Sequence, residues 1–335
     1  MTTTSRVQPD TVAMESAHRV VNAIAQAFAA KVVGQDELRK TLLIGLLTGG
    51  HILLEGVPGL AKTTAARVVA ESISGGFQRI QCTPDLLPSD ILGTQIYDSS
   101  SNSFVTQLGP VHTNIVLLDE INRSSAKTQS AMLEAMEERQ TTIAGKVHPI
   151  PQPFLVIATQ NPVDQEGTYP LSEAQTDRFM LKEVLRYPSP EEEAEVIFRI
   201  DAGVYDRGAP TQPVISLDDM RHLQRVTANI HLHPELVHYI SRLVHVTRNP
   251  QQFLPAQLAR LIEYGASPRA TIAFARSARA AALLAGRNHV LPDDVRDLAY
   301  RVLRHRLILR FEAISQGVTP ENIIDAVLHS VRVPA

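Results

Sequence analysis

Apolar residues along this chain follow two rhythms, and the places where one gives way to the other mark its elements. Val20, Ile24, Ala27 and Phe28 recur at helical spacing within 16–30, which predicts an amphipathic opening helix. A second helical stretch over 35–47 stops at the Gly49-Gly50 pair. Short, continuously apolar runs follow at 52–54, 115–118 and 154–158. Each has the length of a strand covered on both faces, as in a parallel sheet. The segments 77–82 and 179–184 are weaker strand candidates, and helical segments at 63–72 and 125–139 lie between the strands. The predicted units are therefore strand–helix–strand, with right-handed crossovers.

Two insertions interrupt this pattern. Residues 94–107 read as a hairpin, with Tyr97 and Phe104 flanking the turn-forming run 98–103. A second hairpin is expected around Ala144-Gly145-Lys146. Near 186–190 the pattern changes: Ser189-Pro190-Glu191-Glu192 combines a capping serine, proline at the first helical position and a glutamate three residues on. Beyond it strand signals disappear, and helices are expected over 190–202, 217–229, 235–246, 268–285 and 292–303. The predicted architecture is an α/β core with a parallel sheet flanked by helices, residues 1–187, followed by a smaller all-helical domain, residues 188–335.

Composition narrows the classes of function. With 335 residues, the chain exceeds the size at which one core usually stops growing. The formal net charge of −3 argues against bare nucleic acid as the main ligand, because neutralising phosphates needs surplus Lys and Arg. The single Cys82 excludes an internal disulfide and a thiolate metal cluster, and it reads as a small buried apolar residue. The N-terminal residues lack a cationic start followed by an apolar run, and the most apolar stretch, 41–57, is interrupted by Gly49, Gly50, His51 and Glu55. A membrane span takes about 20 apolar residues, so no membrane insertion and a cytoplasmic location are expected.

The strongest chemical signal is Gly56-Val57-Pro58-Gly59-Leu60-Ala61-Lys62-Thr63, after an apolar strand and before a helix. It fits G-x-x-x-x-G-K-[ST], the phosphate-cradling P-loop, except that Ala61 stands in place of the last glycine. Backbone N–H groups turned inward at a helix N-terminus bind phosphate oxygens. Lys62 would reach the β/γ oxygens and the Thr63 hydroxyl would face Mg²⁺. A chance Gly-rich turn is the competing reading. A second signal weakens it: the strand 115–118 ends in Asp119-Glu120. Asp119 suits the metal's water shell, and Glu120 suits the base or orienter of the attacking water. Asn161, closing the run Ala158-Thr159-Gln160-Asn161-Pro162, can hydrogen-bond the γ-phosphate and the water, although Asn before Pro is also an ordinary turn. Arg178, in Asp177-Arg178-Phe179, suits a finger toward a neighbour's nucleotide, or else a surface ion pair with Asp177. Arg269, in Gly265-Ala266-Ser267-Pro268-Arg269, could touch the phosphates from above, or be a helix-flanking surface residue.

Together these strings resemble the AAA+ ATPases, and within them the MoxR family. The resemblance runs from Val33-Gly34-Gln35 through Leu118-Asp119-Glu120-Ile121-Asn122-Arg123 and Glu173-Ala174-Gln175-Thr176-Asp177-Arg178-Phe179 to the last helices. It implies that ATP and Mg²⁺ are the cofactors. Gly56, Val57, Pro58, Gly59, Leu60, Ala61, Lys62, Thr63 and Thr64 would bind the nucleotide, with Val32 and Val33 at the adenine. It further implies Asp119 and Glu120 as Walker B, Asn161 as sensor 1, Arg178 as a trans-acting finger and Arg269 as sensor 2. The family often carries alanine at the position of Ala61. Similar proteins form homo-oligomeric, hexameric rings, work with von Willebrand factor A-domain partners and act as chaperones, sometimes inserting metal cofactors. The two hairpins match inserts that tend to face the pore of such rings. A nucleic-acid motor, a nucleotide-gated scaffold and the ATPase subunit of a metal chelatase are the rival readings.

Three further features look incidental. His231, His233 and His238 read as a polar turn before a helix, and the basic run 301–306 as a solvated helix face. Asp164-Gln165-Glu166-Gly167 matches a GTPase pattern but comes too late in the sheet order.

Overall fold

The computed structural model describes residues 9, 11–57, 59–162, 168–204 and 213–334. The helices Thr11–Lys31 and Asp36–Thr48 open the chain. The second ends where Gly49 takes φ 60, a left-handed cap that lets its N–H return to the last turn. Its successor strand β1 (Ile52–Glu55) leads into the helix Lys62–Glu71 and then β2 (Phe77–Gln81).

A hairpin of β3 (Gly93–Asp98) and β4 (Ser103–Leu108) comes next. The strand β5 (Ile115–Asp119) and the helix Ala126–Glu138 follow it. A second hairpin, β6 (Gln140–Ile143) and β7 (Lys146–Pro149), precedes β8 (Leu155–Gln160) and β9 (Leu181–Val184). Both expected hairpins are present. The tip of the second uses positive φ at Ala144 and Gly145, the geometry that matches strand twist.

Five strands form one parallel sheet in the order β2-β5-β8-β1-β9. Their continuous apolar runs follow from burial on both faces. Ile115, Leu117, Leu155 and Ile157 face the larger core beneath the opening helices. Val116, Leu118, Val156 and Ala158 face a smaller core closed by Met132, Leu133 and Met136 of the helix Ala126–Glu138. A period of two with both phases apolar is the pattern of a doubly covered strand. In register, Gln81, Asp119, Gln160, Glu55 and Val184 lie at or near the carboxyl ends of their strands.

Beyond β9 the chain is helical: Pro190–Asp201, Leu217–Asn229, Pro234–Arg248, Pro268–Leu284 and Pro320–Ser330 are its long helices. The capping box is formed as the sequence predicts, with Ser189 Oγ accepting from the Glu192 amide at 3.2 Å and Glu192 Oε2 accepting from the Ser189 amide at 2.8 Å. Such caps contribute about 1 kcal/mol each. The helices Leu217–Asn229 and Pro268–Leu284 both pack on Asp36–Thr48. The loop expected at 208–213 lies outside the described residues except for Pro213, and so does the GTPase-like pattern at 164–167.

Three expectations are corrected. The helical lid also contains an antiparallel ribbon, β10 (Ile262–Tyr264) with β11 (Ile308–Leu309), too short to give a strand pattern. The helix expected over 292–303 is two helices, Pro292–Asp297 and Ala299–Leu303. The basic run is not a solvated face. Arg301 and Arg306 are buried: Arg301 pairs with Glu183 and Glu37, and Arg306 Nε lies 2.7 Å from Asp177 Oδ1. Arginine satisfies several acceptors at once, which suits it to such enclosed sites.

Candidate functional site

The loop after β1 has the backbone that a phosphate cradle needs. Gly59 takes φ 87 and Ala61 φ 55, and the helix Lys62–Glu71 starts immediately after Ala61. Left-handed residues before a helix N-terminus turn successive N–H groups inward. Alanine in that region is strained by roughly 1–2 kcal/mol relative to glycine. Gly56 is required for another reason: a Cβ there would stand 3.0 Å from Leu185 Cβ. Lys62 Nζ donates to Gly56 O at 2.6 Å, holding the ammonium across the loop. Leu60 is buried and Val57 packs against the main core, while Thr64 is exposed. Pro58 lies outside the described residues.

Asp119 is the hub beside that loop. The Thr63 hydroxyl donates to its Oδ2 at 3.2 Å, Arg79 donates to the same oxygen at 2.6 and 3.1 Å, and Thr159 Oγ1 donates to Oδ1 at 2.7 Å. Burial alone would raise the Asp119 carboxyl. The hydrogen bonds from Thr159 and Arg79, the Arg79 charge and the Thr63 hydroxyl outweigh it and hold the group below its usual range. An ionised carboxylate beside a hydroxyl is a hard oxygen set that suits Mg²⁺, and Thr63 and Asp119 are the residues that would hold it.

Glu120 follows with φ 58, a left-handed turn that swings its side chain off the strand direction. Its amide donates to Thr159 Oγ1 at 2.9 Å, so one hydroxyl fixes both acidic residues. Its carboxylate accepts from Gln81 Nε2 at 3.0 Å and lies 3.3 Å from Arg123 Nε. Asn161 is buried just beyond β8, and its carbonyl accepts from Asn122 Nδ2 at 3.4 Å. Lys62, Thr63, Asp119, Glu120 and Asn161 thus gather at the carboxyl edge of the sheet, where ligands bind in open α/β sheets.

Arg178 and Arg269 lie elsewhere. Arg178 immediately precedes Phe179 and Met180, and the Met180 amide donates to His51 O at 2.8 Å, before the first residue of β1. Arg178 Nε lies 2.9 Å from Glu137 Oε2, and Arg269 pairs with the other oxygen of the same carboxylate. Glu137 in turn follows Met136, whose carbonyl accepts from His51 Nε2 at 3.1 Å. This cluster therefore sits at the amino edge of the sheet. The four residues of β1 separate it from the loop, and at about 3.3 Å per residue that is roughly 13 Å. Arg269 is not poised above its own chain's phosphate loop, as the sequence had led us to expect. Nor does Arg178 pair with Asp177, which is held instead by Arg306 and by the Ser267 hydroxyl at 2.8 Å.

Val32 is buried in the main core and Val33 is half-buried. Gln35 Nε2 donates to Arg186 O at 3.3 Å, joining this turn to the segment after β9. Between them opens a polar cleft of about 740 Å³, walled by Leu185, Tyr187 and Glu192 on one side and by Tyr300, Arg304 and Asp325 on the other. No group of three or more His, Cys, Asp or Glu suited to a metal occurs among the described residues, and His233 caps its helix by accepting from the Glu235 amide at 3.3 Å.

Sequence reasoning missed Arg79, Thr159 and Glu137. For Arg79 a signal existed, a cation within the candidate strand 77–82. Thr159 stood within a quoted motif without a role. Glu137 gave no signal, since its partners lie 41 and 132 residues away.

Residues 51–181 match the family model described as ATPase family associated with various cellular activities, and residues 257–327 match that of the AAA lid domain. Chaperone MoxR1 of Mycobacterium tuberculosis is 48% identical over 303 residues, covering 90% of this chain and 79% of its own. The Bacillus subtilis protein YeaC is 42% identical over 323 residues, covering 96% and 97%. The crystal structure of a Cytophaga hutchinsonii protein, provisionally named an ATPase, is 44% identical with a TM-score of 0.89, covering 97% of this chain and 98% of that one.

Proposed function

Since the chain belongs to the MoxR family of AAA+ ATPases, we propose that it hydrolyses Mg-ATP and uses the cycle as a chaperone that remodels partner protein complexes. The observation that carries this reading is the arrangement around Asp119, in which the Thr63 hydroxyl, Arg79 and Thr159 converge on one carboxylate next to the phosphate loop. Lys62 leaves the Gly56 carbonyl to meet the β/γ oxygens. Bound Mg²⁺ supplies charge neutralisation on the phosphates. Glu120, held by Gln81, accepts a proton from or orients the attacking water, and Asn161 helps to fix that water.

In this reading residues 1–187 form the nucleotide-binding core and 188–335 the lid. The protein works as a homo-oligomeric ring in the cytoplasm, with a von Willebrand factor A-domain partner. None of the described helices is long and apolar enough to cross a membrane. Arg178 and Arg269 serve the neighbouring subunit, because roughly 13 Å of strand lies between them and their own loop. A nucleic-acid motor is disfavoured by the first hairpin, which carries no Lys or Arg over 93–108.

Glu120→Gln tests the reading directly. It should retain ATP affinity by calorimetry while phosphate release falls by at least about 100-fold, the range of general base catalysis. An unchanged kcat removes Glu120 from the catalytic role.

A further inference from the structure

The pair of contacts on Glu137 has no place in hydrolysis at the chain's own loop. Arg178 arrives from the segment before β9, Arg269 from the first turn of the helix Pro268–Leu284, and Glu137 from the end of the helix Ala126–Glu138. Each guanidinium spends one donor on a different oxygen of the same carboxylate. Among the described residues neither guanidinium has another hydrogen-bond acceptor, so of five N–H donors each retains most for a further ligand. Their side chains are 32% and 41% exposed, open enough to be reached from outside.

Beside them lies a cavity of about 210 Å³. Its walls include Arg178, Arg269, Arg276 and Arg306 against only Glu137 and Asp177, so it carries net positive charge. Such a site attracts a multiply charged anion. Asp177 is committed to Arg306 and Ser267, which leaves Glu137 as the carboxylate that keeps Arg178 and Arg269 side by side despite their like charge.

We infer that Glu137 is a positioning residue that yokes Arg178 and Arg269 into one two-pronged cation, presented to the triphosphate bound by a neighbouring copy of this chain. The inference rests on the reading above that these arginines work in trans. Without the carboxylate the two guanidiniums repel one another and lose their common direction. Misplacement of about 1 Å in a reacting arrangement costs on the order of 100-fold in rate. Glu137 itself touches no substrate. Its effect belongs to kcat at the adjoining site and not to nucleotide affinity at its own.

The experiment uses the full chain with two variants, Glu137→Ala and Glu137→Gln. The glutamine keeps the length and fold of the original but offers one acceptor oxygen and turns an amide N–H toward a guanidinium. Both should bind ATP with wild-type affinity by calorimetry and release phosphate on the order of 10- to 100-fold more slowly. Mixing either with excess Glu120→Gln subunits should restore turnover, because those subunits bring an intact arginine pair to the variant's working loop. Phosphate release within about twofold of wild type in both variants overturns the inference, and so does a loss that no mixing ratio rescues. Arg178→Ala, mixed in the same way, is the control. Full activity alone, or no rescue, would sink the trans reading itself whatever Glu137 does.

Discussion

Replacing Arg301 with alanine should destabilise the fold by more than any surface change. Arg301 and Glu183 expose only 9% and 8% of their side chains, and the Arg301 Nε shares Glu183 Oε2 with the Thr41 hydroxyl, which donates at 2.6 Å. Burial disfavours the Arg301 charge, yet the Glu183 and Glu37 carboxylates outweigh it and keep the guanidinium protonated. In Arg301→Ala, Glu183 stays enclosed with the Thr41 hydroxyl as its remaining partner. Breaking a buried pair from one side costs about 3–5 kcal/mol, mostly the stranded charge and not the lost attraction. Urea unfolding of Arg301→Ala, Glu183→Gln and the double variant measures this. The double variant should recover much of the loss, with a coupling between about 0.5 and 3 kcal/mol. A cost under about 1 kcal/mol for Arg301→Ala, or strict additivity, refutes the reasoning.

Two further outcomes follow from single residues. His51 is buried, with Nδ1 accepting from the Val156 amide at 3.0 Å, and burial lowers its pKa from 6.5 to about 4. The unfolded chain takes up this proton first, so stability is complete above pH 6.5 and is lost as pH falls toward 4, by up to about 3 kcal/mol. His305 is lowered by burial as well and acts in the same direction. An unfolding free energy that stays flat between pH 7.5 and 5 contradicts this. Lys62→Ala should weaken ATP binding about 10- to 100-fold, the worth of a charge-assisted hydrogen bond. Wild-type affinity by calorimetry would remove the phosphate-loop assignment.

What could be read in advance depended on how local its cause was. The runs 115–118 and 154–158 announced doubly covered strands because both phases of the alternation are apolar. Ser189 and Glu192 announced a helix start because both halves of a cap lie within one turn. The turn and helix start across Gly56 through Thr63 were legible because that motif is built from consecutive backbone groups. Partners separated by long stretches were not. Nothing near Arg301 or Arg306 reveals that Glu183 and Asp177 fold back to meet them, so charge there was taken for exposure. Arg269 was expected over its own chain's loop, and the structure places it beside Glu137 at the other edge of the sheet. Only the third element, carrying Glu137, shows which edge of the sheet it joins. The left-handed φ of 55 at Ala61 fits the glycine-like role its position demands, at a strain that alanine tolerates.

If Arg178 and Arg269 act in trans as proposed, the two edges of the sheet carry unlike halves of one reaction centre, and this governs how such chains must count. Each copy would then donate at one rim and receive at the other, so the contact between copies would be head-to-tail and never self-matching. An open row of copies always leaves one rim of each kind without a mate and runs one centre short. Closing the circle abolishes both orphans in the same step. Completion of the assembly and full catalytic complement are then a single event.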